Sequence, residues 1–202
     1  MKKLAVVLLA LVLSPFTQAA EFSEGTHYTV ISNKAPTKQK QVVEFFSFLC
    51  PACYRFEPLV DNLKPKLGAD VKFTKNHVEF MGGNLGKDLS HASAIAQLLK
   101  VEDKVNPAIF NAIHQERRRI SGIDELRTIF LDHGVEAKKF DGAAKSFMVK
   151  GNISKMNHNS KKFQIRGVPT FIINGKYQVN NKAISNAKLF EDLVIYLTNK
   201  KD

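Results

Sequence analysis

Residues 41–53 read Gln-Val-Val-Glu-Phe-Phe-Ser-Phe-Leu-Cys-Pro-Ala-Cys, and a change of pattern inside this stretch decides the fold. Up to Phe48 it is mostly apolar and β-prone, as expected of a central strand covered on both faces. From Cys53 onward the apolar positions fall at Phe56, Val60, Leu63 and Leu67, the spacing of one helix face. Pro51 suits the first turn of that helix, where its missing N–H is not needed. Pro58 should kink the helix, and Pro65 should end it or bend it again. Cys50 and Cys53 therefore lie at a strand-to-helix turn, with Cys50 at the helix start.

Working outward, Val71 to Val78 alternates well enough to be a second strand, and His27 to Ser32 is a first-strand candidate ahead of both. From Gly82 to Gly151 the pattern is helical. Leu89, Ala92, Ile95, Ala96 and Leu99 form one stripe, and Ile123, Leu126, Ile129 and Phe130 another, with Gly122, Gly134 and Gly151 as punctuation. Thr170–Ile173 and Lys176–Val179 flank Asn174-Gly175, the strongest short signal for a β-hairpin. Phe190, Leu193, Val194 and Leu197 mark a last amphipathic helix. This order predicts an α/β sheet domain interrupted by a helical insertion. Its divisions are 20–80 (first part of the sheet domain), 81–150 (helical insertion) and 151–202 (second part).

The chain has 202 residues, enough for one domain with a real core, and its 44% hydrophobic content excludes a disordered or fibrous protein. Met1-Lys2-Lys3, the apolar run Leu4–Leu13, and Thr17-Gln18-Ala19-Ala20 have the layout of a secretory signal peptide, with cleavage expected after Ala19. The apolar run is about half the ~20 residues that a membrane span needs. Export removes two of the lysines, so the formal charge of +11 becomes +9. Cys50 and Cys53 are the only cysteines of the chain. A bridge that short restrains little of the unfolded chain, so a structural staple is a poor reading of it. In an exported protein a single close pair reads as a working redox couple.

A thiolate at Cys50 would face the unpaired N–H groups and positive dipole end of its helix, which lower a thiol pKa. A low pKa makes a sulfur both an available nucleophile and a good leaving group in disulfide exchange. Cys53, one turn on and on the apolar face, is placed to resolve a mixed disulfide. Zinc would need two further ligands, and neither a second cysteine pair nor a His-x-x-x-His is present. Glu44 interrupts an apolar strand, so it either points to solvent or sits in a polar pocket under the cysteines with Lys75 as counter-charge. Glu57 is more ambiguous still. Val168-Pro169-Thr170 leads into the hairpin; Pro169 is either a strand-start marker or a cis proline whose free backbone edge could pair with a peptide. Phe48, Leu49, Met81 and Phe171 are candidates for an exposed apolar patch near the cysteines, with at least some of them expected in the core instead.

Other signals carry less. The run 82–88 (Gly-Gly-Asn-Leu-Gly-Lys-Asp) is one residue short of a phosphate loop and lacks its Ser/Thr. Arg117-Arg118-Arg119, Lys138-Lys139 and Lys161-Lys162 lack the aromatic interleaving of a nucleic-acid motif and read as a solvated face. The six histidines show no ligand spacing.

Three segments together resemble the DsbA family: Phe45–Tyr54 around the cysteines, Phe80–Leu89, and Arg166–Pro169. The resemblance spans nearly the whole mature chain. It implies a thioredoxin fold with a helical domain inserted between the motif halves, and a periplasmic thiol:disulfide oxidoreductase. It further implies Cys50 as nucleophile, Cys53 as resolving cysteine, Pro169 as a cis proline with Val168 and Thr170 beside it in substrate binding, and Pro51, Ala52, Glu44, Glu57 and Lys75 as tuning residues. The redox-active Cys50–Cys53 disulfide would replace any cofactor or metal. Implied partners are folding exported polypeptides and a DsbB-like quinone-linked membrane reoxidant, not nucleic acid. An isomerase or reductase is the nearest rival, and a non-catalytic chaperone-like binding protein a further one. The short lead of Ala20 to Thr26 before the first strand favours a monomeric oxidase over an isomerase with an N-terminal dimerisation domain. One departure stands out: Ala52 occupies the position where the family most often has His, which predicts a Cys50 that is less extreme in pKa and oxidising power.

Overall fold

The computed structural model describes residues 22–33 and 35–201; the expected signal segment 1–19 lies outside them. Among the described residues, β1 (Tyr28–Val30), β2 (Gln41–Phe46), β3 (Lys72–His77), β4 (Thr170–Ile173) and β5 (Tyr177–Val179) form one sheet in the order β1-β5-β4-β2-β3. Only the β2–β3 pair is parallel. A parallel pair needs a crossover connection, and α1 (Pro51–Leu63) supplies it. Between β3 and β4 run α2 (Asn84–Leu99), α3 (Glu102–His114), α4 (Ile123–Asp132), α5 (Ala137–Ala144) and α6 (Phe147–Lys162). The last helix, α7 (Ala187–Asn199), follows the hairpin.

β2 lies inside the sheet between β4 and β3, and its alternation sorts the core. Val42 packs with Val60 and Leu63 of α1 and with Phe190, Leu193, Val194 and Leu197 of α7. Val43 and Phe45 face the other way, against Ile172, Val78, Phe163 and Ile165. A separate cluster fills the helical insertion and reaches Phe46, Phe48, Cys50 and Cys53, so the turn that carries both cysteines is packed against the inserted helices.

The hairpin turn is built as its sequence demands. Asn174 and Gly175 both take positive φ, 50° and 65°, the pair of left-handed residues that matches the twist of adjoining strands. Asn174 does more than turn. Its Oδ1 accepts the Gln41 N–H at 2.9 Å, and its Nδ2 donates to the Leu197 and Thr198 carbonyls at the end of α7. Helix-end carbonyls have no intrahelical partner, so one buried amide joins turn, central strand and last helix.

Several expectations shift. β2 stops at Phe46 rather than Phe48, because Ser47–Cys50 turns to start α1, with the Cys50 N–H donating to Ser47 O at 3.0 Å. The first strand is only Tyr28–Val30. α1 continues through Pro58, whose ring is exposed, and it ends just before Pro65, as expected, in a short 3₁₀ turn, Lys64–Lys66. Gly151 breaks nothing: α6 passes through it, started by Ser146 Oγ accepting the Val149 N–H and anchored by buried Val149 and Met156. A glycine inside a helix costs about 1 kcal/mol, which that packing outweighs.

Candidate active site

Cys50 is the N-cap of α1, with extended backbone (φ −92°, ψ 112°) and Pro51 next in the first turn. Its Sγ accepts the Cys53 N–H at 3.1 Å, one of the helix-start donors that nothing inside the helix can satisfy. Both cysteines are free thiols and buried; Cys50 is 4% exposed and Cys53 not at all. A hydrogen bond from the Cys53 thiol holds the Cys50 pKa down, at about 6; burial opposes this, and the backbone N–H groups of Cys53 and Ala52 and the charge of Arg55 assist. The same bond, with burial, pushes the Cys53 thiol far above the ordinary range. The two sulfurs are thus chemically unequal, one ready to ionise and the other held protonated.

That inequality has a measurable consequence. The folded Cys50 pKa of about 6 lies below its ordinary value of 9.0, so ionisation stabilises the reduced fold. The contribution is complete above pH 9 and disappears as pH falls through 6. Between pH 7 and pH 5 the reduced form should lose about 1 kcal/mol relative to the disulfide form, after allowance for solvent screening. Urea denaturation of both forms at both pH values checks this; parallel losses would refute it.

Beside Cys50 lies the loop before β4. The Val168–Pro169 bond is cis, and the Val168 carbonyl is 3.4 Å from Cys50 Sγ. A groove of about 760 Å³ runs past it, lined by Arg166, Val168, Pro169, Thr170, Asn181 and their neighbours. Asn181 Nδ2 donates to Pro169 O at 2.7 Å, so the compact segment after β5 forms part of the groove wall.

Behind Cys53 the charged residues take the pocket arrangement rather than the solvent one. Glu44 is fully buried, flanked in register by Lys75 on β3 and Phe171 on β4. Lys75 Nζ is 3.0 Å from Glu44 Oε2, an ion pair off the hydrogen-bonding axis, and it donates to Glu57 Oε1 at 2.5 Å. Burial raises Glu57 to about 7 against the pull of Lys75, and the two carboxylates outweigh burial to raise Lys75. A cavity of about 540 Å³ lined by Glu57, Asp61, Lys64, Lys75 and Asp103 opens this cluster to water. Glu57, one helical turn beyond Cys53, is therefore a group that exchanges protons near neutral pH.

The four apolar candidates divide between core and rim, as expected of at least some of them. Phe48 and Phe171 are entirely buried and belong to the core, because Phe48 turns into the helical insertion and Phe171 packs under α1 and α7. Leu49 and Met81 remain half-buried at the rim, and Leu49 lies over Gly82, where a Cβ would come within 2.3 Å of its Cδ1. The basic clusters Arg117–Arg119, Lys138-Lys139 and Lys161-Lys162 are exposed. Among the described residues no three His, Cys, Asp or Glu side chains gather as a metal site would need.

Two histidines that no sequence pattern singled out touch the turn before Cys50. His77 is fully buried, and burial lowers its pKa to about 3, so it is neutral. Its Nε2 accepts the Phe48 N–H at 3.2 Å, which leaves the proton on Nδ1, 2.7 Å from Ser90 Oγ. His114 Nε2 donates to the Phe48 carbonyl at 2.8 Å. These contacts cross 29 and 66 residues of chain, beyond any local spacing rule.

The sequence matches the family described as DSBA-like thioredoxin domain over residues 41–194. It is 40% identical over 210 aligned residues to the thiol:disulfide interchange protein DsbA of Escherichia coli (strain K12), across the full length of both chains. The DsbA of Pectobacterium carotovorum gives the same identity and coverage. Among solved structures, DsbA from Proteus mirabilis aligns with a TM-score of 0.81 at 39% identity, over 89% of this chain and 98% of that one. A cysteine-to-serine variant of Proteus mirabilis DsbA with a non-covalently bound peptide, PWATCDS, aligns at 0.82 and 38% identity, over 90% and 100%.

Proposed function

This chain belongs to the DsbA family and is a thiol:disulfide oxidoreductase of thioredoxin fold, and from that premise we propose that Cys50 is its attacking and attacked sulfur, Cys53 the resolving one, and exported polypeptides its substrates. The observation that carries the assignment is the pairing of Cys50 Sγ with the Cys53 N–H at the start of α1, beside the cis-Pro169 loop. In the oxidising direction a substrate thiolate attacks Cys50 Sγ of the Cys50–Cys53 disulfide. A mixed disulfide forms, and Cys53 leaves as a thiolate that takes up a proton. The substrate's second thiolate then attacks its own sulfur in the mixed disulfide and expels Cys50 as a stabilised thiolate. Two electrons pass from the substrate dithiol to the protein's disulfide, and no other redox group takes part.

Glu57 and Lys75, with Glu44 beneath Cys53, are proposed to supply and remove the proton at that buried sulfur through the adjoining cavity. Val168, Pro169 and Thr170 are proposed to hold the substrate backbone along the 760 Å³ groove. The peptide held by the Proteus mirabilis relative supports this reading. The periplasm is the proposed location, reached through the segment 1–19, and a DsbB-like quinone-linked membrane protein the proposed reoxidant. Residues 20–80 and 151–202 are proposed as the two parts of the sheet domain around the insertion.

Cys53→Ser tests the order of attack. Mixed with a substrate that carries a single cysteine and with a mild oxidant, this variant should accumulate a substrate adduct on Cys50, visible by mass on non-reducing peptide mapping. An adduct that instead forms on Cys53 in Cys50→Ser, and at the faster rate, would reverse the assignment.

Ala52 contributes a backbone N–H to the Cys50 sulfur but has no side-chain donor. Ala52→His should therefore make the protein more oxidising, shifting its equilibrium with glutathione severalfold toward the reduced form. An unchanged equilibrium constant would show that the side chain at this position has no influence here.

A further inference from the structure

The backbone of Phe48, two residues before Cys50, is held on both sides of its Cα, through its N–H and its carbonyl, by imidazoles from different parts of the fold. His77, at the end of β3, accepts its N–H, and His114, the last residue of α3, donates to its carbonyl at 2.8 Å. His114 also stacks on the other side of the nucleophile. Its ring lies 13° from parallel to Tyr54, with centroids 5.1 Å apart, and Tyr54 donates its own backbone N–H to Cys50 O at 3.1 Å. The Tyr54 hydroxyl in turn donates to Asn111 Oδ1, one turn back along α3. One imidazole of the inserted helical block thus touches the chain both two residues before and four residues after Cys50.

From this bracket we infer that His114 is a positioning residue for Cys50: it fixes the turn and the first helical turn against each other, so that the N–H donors stay aimed at the sulfur. The inference rests on the proposal that Cys50 is the reactive sulfur. The physical reason is geometric. A thiolate at a helix start is stabilised only while the N–H groups of residues 52 and 53 point at it, and this depends on the angle between the Ser47–Cys50 turn and α1. Ser47 O and the Cys50 N–H fix the turn internally, but the described contacts that tie the turn to α3 run through His114 and the Phe48–Phe110 ring pair. The ring pair is apolar and weakly directional. The His114 bond is directional, and its loss would leave the Phe48 carbonyl without its donor.

The test compares three substitutions. His114→Ala removes donor and ring, His114→Phe keeps a ring over Tyr54 without a donor, and His114→Gln keeps a donor without the ring. Thiolate absorbance at 240 nm is titrated for each, and the equilibrium with glutathione is read by alkylation. His114→Ala and His114→Phe should raise the Cys50 titration midpoint by several tenths of a pH unit and make the protein less oxidising by roughly three- to tenfold. His114→Gln should stay within about twofold of the parent. Melting of each variant in both redox states separates positioning from bulk stability: a positioning role lowers the reduced form more than the disulfide form, as linkage to the equilibrium constant requires. Equal losses in both forms with an unmoved midpoint would overturn the inference. The Cys50→Ser titration is the control for the premise: if the absorbance step survives in it, the reactive sulfur is misassigned, whatever His114 does.

Discussion

Cys50→Ser should reduce disulfide donation to the uncatalysed background while leaving the protein folded. The separation of the two effects is what makes the result decisive. Serine is among the preferred N-cap residues, and its Oγ can accept the Cys53 N–H much as sulfur does here. The start of α1 is therefore kept, and stability should change by no more than about 1 kcal/mol. Chemistry has no such substitute, because an alcohol neither ionises near pH 6 nor forms a disulfide. Oxidation of a reduced two-cysteine protein, followed by thiol alkylation alongside a thermal melt, reads both. A variant that still prevents aggregation of unfolded chains but no longer oxidises them would divide a binding role from the redox one. A variant that still oxidises them would remove Cys50 from the mechanism.

Lys75→Met should be the most destabilising single change around the site, by about 3–5 kcal/mol at pH 7.5. Methionine fills the stem's volume against the Phe46 ring, over which the ammonium now sits at 4.7 Å. What is lost is the only cation within ion-pair distance of Glu44 among the described residues, together with the partner of Glu57. An unpaired carboxylate in a fully buried position costs far more than the original pair contributes. The sign of the pH dependence follows from Glu57, whose pKa is already raised to about 7 by burial and would rise further without the lysine. A carboxyl with a raised folded pKa favours the fold below its ordinary value of 4.5 and loses that contribution as pH rises through the folded pKa. The deficit of Lys75→Met should accordingly shrink on going from pH 7.5 to pH 5. Denaturant midpoints at the two pH values decide it; a loss under 1 kcal/mol at both would mean that water already solvates the cluster through its cavity.

Much of the architecture was legible because it is written locally. The apolar run of β2, the 3–4 spacing after Cys53 and the Asn174-Gly175 pair each name a structure within a dozen residues, and the place of Cys50 at a helix start follows from the first two. Glu44 marks the limit of that reading. A lone carboxylate in a strand looks the same facing water or a pocket, and only the register with Lys75 and the covering Glu57 decides between them. Which of Phe48, Leu49, Met81 and Phe171 belong to the core was undecided for a related reason: hydrophobicity says that a side chain will pack, not against what. Gly151 misled because a glycine ends a helix only where nothing on the far side holds it, and Met156 does. His77 and His114 were invisible, since their role is a pair of hydrogen bonds to the backbone of Phe48, one from the end of β3 and one from the end of α3.

The order in which the chain is made bears on when it becomes reactive. Val168, which stands against Cys50, lies 118 positions further along, beyond the whole helical insertion. A ribosome releasing this chain N-terminus first therefore delivers both cysteines long before β4, which must pair with β2, and before the loop that walls the sulfur. Closing so long a loop is slow compared with forming helices, and it comes late. A nascent fragment that ends before β4 carries the thiols without the groove or the neighbouring carbonyl. The groove beside Cys50 can therefore be complete only after residues 164–182 have joined the fold, although the groups that lower the Cys50 pKa all lie within α1.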